Sequence, residues 1–179
     1  MVLSQATHDD LTGLLNRRAI FEQGERFAVL RSDVRPFVSL MLMDVDHFKN
    51  VNDTHGHLVG DEVLAGVAER LQEALRSGDL LGRYGGEEFL AMLVGGDHTA
   101  ADAVASRTLD LMRNSPIVTS DGPLGITLSI GMSALASDER DLSGALQRAD
   151  GALYESKRDG RARSTWRHST DPFDVPGFQ

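Results

Sequence analysis

Carboxylates at two places in the chain could do chemistry together. The first place is Gly85-Gly86-Glu87-Glu88, set between the apolar runs Leu80-Leu81-Gly82-Arg83-Tyr84 and Phe89-Leu90-Ala91-Met92-Leu93-Val94. Short apolar runs around paired glycines read as a β-hairpin with the glycines in the turn. Glycine there accepts φ > 0 and lets another molecule approach the backbone. Alternate residues of an extended strand point to opposite faces, so Glu87 and Glu88 are expected to diverge, one above the turn and the other bracing it. The second place is Asp44-Val45-Asp46, at the end of the apolar run from Phe37 to Met43. Their i, i+2 spacing puts both aspartates on one face of a strand, where a carboxylate costs solvation unless it binds something. With the hairpin glutamates they form a set of hard oxygen donors of the kind Mg²⁺ takes, water and phosphate completing the shell.

A cation held there favours a polyphosphate, which also needs basic side chains. Lys49 follows the aspartates, and Lys157 and Arg161 lie four apart near the end of a helical stretch. Asn52 and Asp61 supply an amide and a carboxylate; guanine presents adjacent N–H donors that one carboxylate can accept together. His55 and His57 have no cysteine or further histidine at zinc-ligand spacing. Neither a P-loop nor a strand-linked Gly-x-Gly-x-x-Gly is present. Taken singly, each feature has a plainer reading: an acidic hairpin tip, a solvated strand end, a helix-surface charge, a helix cap.

The elements that must position these groups follow from periodicity. Asn16 caps a helix through about Leu30, ended by Ser32-Asp33 and Pro36. Phe37 to Met43 is a buried strand. His47 to Asp53 reads as a polar stretch around Phe48 and Val51. Val63, Leu64, Val67, Ala68, Leu71 and Leu75 mark a helix from about Asp61 to Leu75, closed by Gly78. After the hairpin come a helix from about Thr99 to Met112, a loop or extra hairpin at Pro116 to Pro123, and a half-buried strand at Thr127 to Ser133. A helix from Asp141 to Asp159 and an edge strand within Ala162 to Arg167 complete the order. The fold class expected is α+β, with a mainly antiparallel sheet flanked by helices.

A chain of 179 residues, 41% hydrophobic and 25% charged, suits one soluble domain. Residues 1–167 are assigned to it and 168–179 to a loose tail. There is no cysteine, and the net charge of −9 argues against a general nucleic-acid surface. No apolar run reaches the roughly 20 residues of a membrane span, and no signal peptide is visible at Met1-Val2-Leu3-Ser4, so a cytoplasmic location is expected.

Together the motifs resemble the GGDEF family, the diguanylate cyclases, from roughly Asp9 to Arg163. Gly85-Gly86-Glu87-Glu88-Phe89 is the glutamate variant of the signature. Asp10-Leu11-Thr12-Gly13-Leu14-Leu15-Asn16-Arg17-Arg18, Asp44-Val45-Asp46-His47-Phe48-Lys49, Asn52-Asp53, Gly56-His57, Gly60-Asp61, Ser129-Ile130-Gly131 and Ala149-Asp150-Gly151-Ala152-Leu153-Tyr154 also agree. The resemblance implies a ferredoxin-like, nucleotidyl-cyclase palm with a central five-stranded sheet. It implies that two GTP molecules condense to cyclic di-GMP with release of pyrophosphate on Mg²⁺, Mn²⁺ being the second candidate. By resemblance, Asp44, the Val45 carbonyl, Glu87 and Glu88 hold the metal, and Glu87 also takes the proton of the attacking hydroxyl. Lys49, Lys157 and Arg161 serve the phosphates; Asn52 and Asp61 read guanine; Phe48 and His57 line the nucleotide site.

One site holds one GTP, so a homodimer is the expected active species. Arg76-Ser77-Gly78-Asp79 matches the family's inhibitory Arg-x-x-Asp, which binds the cyclic product, with Arg107 as a secondary contact. The chain begins almost at the first family motif, and an upstream sensor domain in the parent protein is expected. The sequence departs from the family's usual residues at Ser156, Ala162 and His55 without losing a ligand. The alternatives are a catalytically silent module that senses GTP or cyclic di-GMP, and a cyclase using ATP, which Asp61 disfavours.

Overall fold

β1 (Val38–Val45) is the centre of the molecule, and all eight of its residues are buried. Its run is apolar apart from Ser39 and Asp44, as suits a strand covered on both faces. The structure, a computed structural model, describes residues 6–30 and 35–170. The expected helix stop at Ser32-Asp33, the first residues Met1–Ser4 and the tail from residue 171 onward lie outside the described residues.

β1 pairs antiparallel with β3 (Glu88–Val94) on one side and with β6 (Leu128–Ala134) on the other. β2 (Leu80–Arg83) pairs antiparallel with β3, and β7 (Ser164–Trp166) runs parallel to β6. The order is β2-β3-β1-β6-β7, a ferredoxin-like core with one added edge strand. A separate two-stranded sheet consists of β4 (Ile117–Thr119) and β5 (Gly122–Leu124).

Strand alternation divides the core in two. Leu40 and Leu42 face α1 (Arg17–Ala28) and α5 (Ser143–Arg158), meeting Ile20, Ala145 and Ala149. Met41, Met43 and Val45 face α3 (His57–Ala74) and α4 (His98–Asn114), meeting Val63, Val67 and Val104. Each large apolar side chain so buried contributes about 1.5–3 kcal/mol. On the first side α5 lies directly on β6, because a Cβ on Gly131 would run into the Ala149 carbonyl and the Leu153 backbone. Ser156, where the family usually has alanine, is fully buried; its hydroxyl donates to the Ile130 carbonyl at 2.8 Å and meets Thr165 Oγ1 at 2.7 Å. The departure therefore ties α5 to both β6 and β7.

The elements after Asp46 need correction. The polar stretch after Asp46 is a helix, α2 (Phe48–His55), and α3 begins at His57 rather than near Asp61. Gly56, at φ 85°, separates them. Gly60 sits inside α3, where a Cβ would run into Asn52 Oδ1 and crowd the Phe48 ring. α3 also stops at Ala74, four residues before Gly78. Asn16 does cap α1, its side chain accepting from the Ala19 N–H at 2.9 Å. No helix among the described residues is long and apolar enough to cross a membrane.

Candidate active site

Asp44 is the penultimate residue of β1 and stands directly opposite Glu88 of β3. Paired residues of an antiparallel ladder project to the same face, so their carboxylates share one end of the sheet. The next residue, Val45, donates its N–H to the Glu87 carbonyl at 3.1 Å. Asp44, Val45, Glu87 and Glu88 are thus neighbours across one rung and its overhang. Glu87 lies in the turn, outside the strand; the expected divergence of the two glutamates assumed an extended chain and does not apply.

The electrostatics follow from this crowding. Burial raises the pKa of Glu87 and of Glu88, and the Asp44 charge raises both further, while Lys157 acts in the opposite sense. Asp150 and Glu87 add to the rise at Glu88. Lys157 Nζ is 2.9 Å from Asp44 Oδ2. Among the described residues no three carboxylates or imidazoles are already gathered into an ion cage; Asp44 is turned instead to the lysine. Hard oxygen donors at one end of the sheet, two of them with pKa raised first by burial and then by the Asp44 charge, fit a hard divalent cation.

The paired glycines serve close approach rather than positive φ. Neither is among the residues with φ > 0. A Cβ on Gly85 would sit 2.6 Å from Glu88 Oε2, and one on Gly86 would meet nothing within 4 Å. Gly85 makes room for the carboxylate; Gly86 leaves the outer side open.

Arg83 holds this turn. Its Nε donates to the Gly85 carbonyl at 3.2 Å and its Nη2 to the Gly86 carbonyl at 2.8 Å. Nη1 lies 3.2 Å from both oxygens of Asp9. Asp9 in turn accepts from the N–H and hydroxyl of Thr12 at 2.9 and 2.8 Å. Partial burial pushes the Asp9 carboxyl up, but the Thr12 hydrogen bonds and then the Arg83 guanidinium hold it below its usual range. The sequence reading missed Arg83 and Asp9. A fixed-charge fork next to two glycine carbonyls, and an Asp three residues before a Thr, are the signals available.

Asp46 lies in the turn just past β1, outside the strand alternation that would pair it with Asp44, and its oxygens are already engaged. It is buried and accepts from Ser129 Oγ at 2.6 Å, Thr127 Oγ1 at 2.7 Å and the Ala162 N–H at 3.1 Å. It joins the end of β1 to β6 and to the loop after α5. That loop runs through Gly160, Arg161 and Ala162, all with positive φ, and leaves the Arg161 side chain exposed.

The other predicted residues gather on α2 and α3. Lys49 is exposed and lies 3.8 Å from Asp53. Phe48 is buried in the core, and His57 and Asp61 are exposed on the first turns of α3. Asn52 Oδ1 is buried with no hydrogen-bond partner, an orphan acceptor on a wall otherwise open to solvent.

Arg76 and Asp79 line a separate cavity of about 300 Å³ with His8, Gly13, Leu14 and Leu15. Asp79 Oδ2 accepts the Arg76 N–H at 3.0 Å, and Oδ1 the Val94 N–H at 3.2 Å. Arg107 is not brought into that cavity; its guanidinium caps the Ala74 carbonyl at the end of α3.

Fold and site together define a palm-type α+β domain that carries carboxylates at the end of its central strand. The chain belongs to the GGDEF domain family: the profile described as "Diguanylate cyclase, GGDEF domain" matches residues 6–163. Diguanylate cyclase A of Treponema denticola is 42% identical over 128 residues, covering 72% of this chain and 34% of that protein. The response regulator PleD of Caulobacter vibrioides is 42% identical over 166 residues, covering 89% of this chain and 36% of that protein. The chain therefore spans about a third of the length of these two relatives. Among solved structures, the GGDEF domain of DgcB from Caulobacter crescentus in complex with c-di-GMP superposes with a TM-score of 0.85 at 31% identity. The match covers 93% of this chain and 96% of that one.

Proposed function

We propose that this chain is the catalytic domain of a diguanylate cyclase: two copies, each holding one GTP, condense their substrates to cyclic di-GMP and release pyrophosphate. The observation that carries the reading is the Asp44–Glu88 pair across β1 and β3, with Glu87 joined to Val45 in the overhanging turn. Asp44, Glu88, Glu87 and the Val45 carbonyl are the residues that would hold Mg²⁺. When bound, such an ion neutralises developing phosphate charge and aligns nucleophile and leaving group.

The chain's own residues do the rest. Glu87, its pKa raised by burial and by Asp44, is suited to accept the proton of the attacking 3′-hydroxyl. Lys157, paired here with Asp44, would with Lys49 and Arg161 serve the phosphates once Asp44 held an ion. Asn52 and Asp61 accept the guanine N–H donors or pair with its edge, with Phe48 and His57 beside them. The dimer makes the two bound nucleotides effectively intramolecular. Arg76 and Asp79 bind the cyclic product and limit its accumulation; Arg107 of α4, engaged with the Ala74 carbonyl, takes no part.

Incubation with GTP and Mg²⁺, followed by nucleotide separation, tests this. Cyclic di-GMP with pyrophosphate is expected; intact GTP with tight binding of cyclic di-GMP would mark a silent sensor, and ATP turnover a different cyclase. Arg76→Ala is expected to weaken product inhibition at least about tenfold, from loss of charge-assisted bonds, as read by titrating cyclic di-GMP into the assay. Unchanged inhibition would put the product elsewhere.

A further inference from the structure

α2 is the least supported element of the nucleotide-facing wall. Phe48 alone of its residues is buried. A cavity of about 280 Å³ lies between α2 and the Leu124–Thr127 segment. The covalent link from α2 to α3 is the single residue Gly56, in a conformation that other residues rarely adopt. Phe48 and Asn52 meet α3 at Gly60; the last turn of α2 needs a second contact to fix its angle to α3.

The β4–β5 hairpin supplies that support. It pairs with no strand of the main sheet, so sheet formation does not account for its place. Its base sits on α3, where Ile117 packs into the space left by Gly66. Its tip is fixed to α3 as well: Glu62 accepts from the N–H and the hydroxyl of Ser120 at 2.7 and 3.1 Å. The turn is closed internally, Thr119 Oγ1 donating to the Gly122 carbonyl at 2.8 Å and receiving the Asp121 N–H at 3.2 Å. From this rigid tip Asp121 Oδ2 reaches His55 Nδ1, the last residue of α2, at 2.9 Å.

We propose that the hairpin is a strut setting the angle between α2 and α3, and that His55 and Asp121 are positioning residues for the nucleotide. The inference rests on the reading above, in which Asn52 of α2 and Asp61 of α3 recognise one guanine between them. The strut then acts on how well the two helices present those groups together. It touches neither the phosphates nor the carboxylates of β1 and β3, so its effect falls on nucleotide affinity rather than on the chemical step. His55, a departure from the aromatic residue common in the family, makes the contact polar and dependent on its partner.

Asp121→Ala is expected to weaken binding of a non-hydrolysable GTP analogue with Mg²⁺ by about three- to tenfold, the worth of one hydrogen bond. Asp121→Asn, which keeps an acceptor, recovers most of that loss, and kcat at saturating GTP changes less than about twofold. Amide hydrogen exchange at residues 52–56 quickens in Asp121→Ala without a matching fall in the unfolding midpoint. Wild-type affinity together with wild-type exchange in Asp121→Ala would overturn the strut. Should the wild type bind no analogue, the guanine reading fails, and exchange at residues 52–56 decides the strut alone. If Asp121→Ala does not fold, His55→Gln against His55→Ala gives the same readouts.

Discussion

The turn at Gly85–Glu88 and the wall formed by α2 and α3 are built in opposite ways. Arg83 binds both glycine carbonyls, Tyr84 and Gly85 donate to the Glu88 carbonyl at 2.8 and 3.1 Å, and Val45 donates to Glu87. Every carbonyl from Gly85 to Glu88 has a partner before any ligand arrives. On the wall, Lys49, His57 and Asp61 are exposed and Asn52 Oδ1 is an orphan. A group left unpaired costs free energy until a ligand satisfies it. Under the proposed function the turn serves chemistry, where small displacements are costly, and the wall serves recognition, which a nucleotide would complete.

The largest expected effect breaks the turn chemically while sparing its structure. Glu87→Gln is expected to lower turnover by at least about 10²–10³-fold, the scale of losing one transition-state electrostatic contact, with the fold intact by circular dichroism. Retained turnover would remove Glu87 from the mechanism. The same crowding has a pH signature. Folded-state pKa values of Glu87 and Glu88 are raised above the ordinary 4.5, so their contribution to apo stability is present below that value and is lost as pH rises through the raised values. Mg²⁺ relieves the repulsion, so its stabilising effect grows over the same window. An unfolding midpoint in metal-free buffer that rises with pH there in the wild type, relative to the Glu87→Gln, Glu88→Gln double variant, would contradict the repulsion.

Next comes the clamp. Arg83→Ala is expected to lower kcat about 10–100-fold through misplacement of the glutamates, and to cost about 1–3 kcal/mol of stability by leaving buried partners unpaired. Arg83→Lys keeps the charge but not the fork and is expected to recover little of kcat. Full activity in Arg83→Lys would show that charge alone suffices.

Asn52→Ala tests the other side of the contrast. Its affinity for GTP is expected to fall about tenfold, while apo stability moves by less than about 0.5 kcal/mol because the lost Oδ1 had no partner. A stability loss as large as that of Arg83→Ala would erase the distinction between the two regions.

The same distinction governs what could be read from the sequence. β1, β3, α4 and α5 were legible because burial on defined faces imposes a period, and the Asp44 and Glu87-Glu88 positions followed from where those strands end. α2 was not legible: with Phe48 and Val51 as its only large apolar residues, it carries too little pattern and owes its form to packing on Gly60 of α3. The Arg83–Asp9 contact joins residues 74 apart in sequence, and no local spacing announces such a pair. Asp46 looked like a ligand because it matches Asp44 in type and in its i, i+2 spacing; the difference lies in three donors from β6 and the α5 loop, which only the fold brings together.

The smallest effect concerns that loop. Ala162 stands where the family usually has asparagine, and its φ is 49°, directly after Arg161 at 65°. An alanine in the left-handed region costs about 1–2 kcal/mol, which asparagine largely avoids. The backbone is held there because the Ala162 N–H serves Asp46, a bond that any residue but proline keeps. Ala162→Asn is therefore expected to stabilise the fold by about 0.5–1 kcal/mol, raising the midpoint by about 2–4 °C, with GTP turnover unchanged. Ala162→Val should act oppositely, since a β-branched side chain is excluded from this region more strongly. Equal midpoints for the asparagine and valine variants would mean that the loop relaxes freely, and that Asp46 does not hold the segment carrying Arg161 in one conformation.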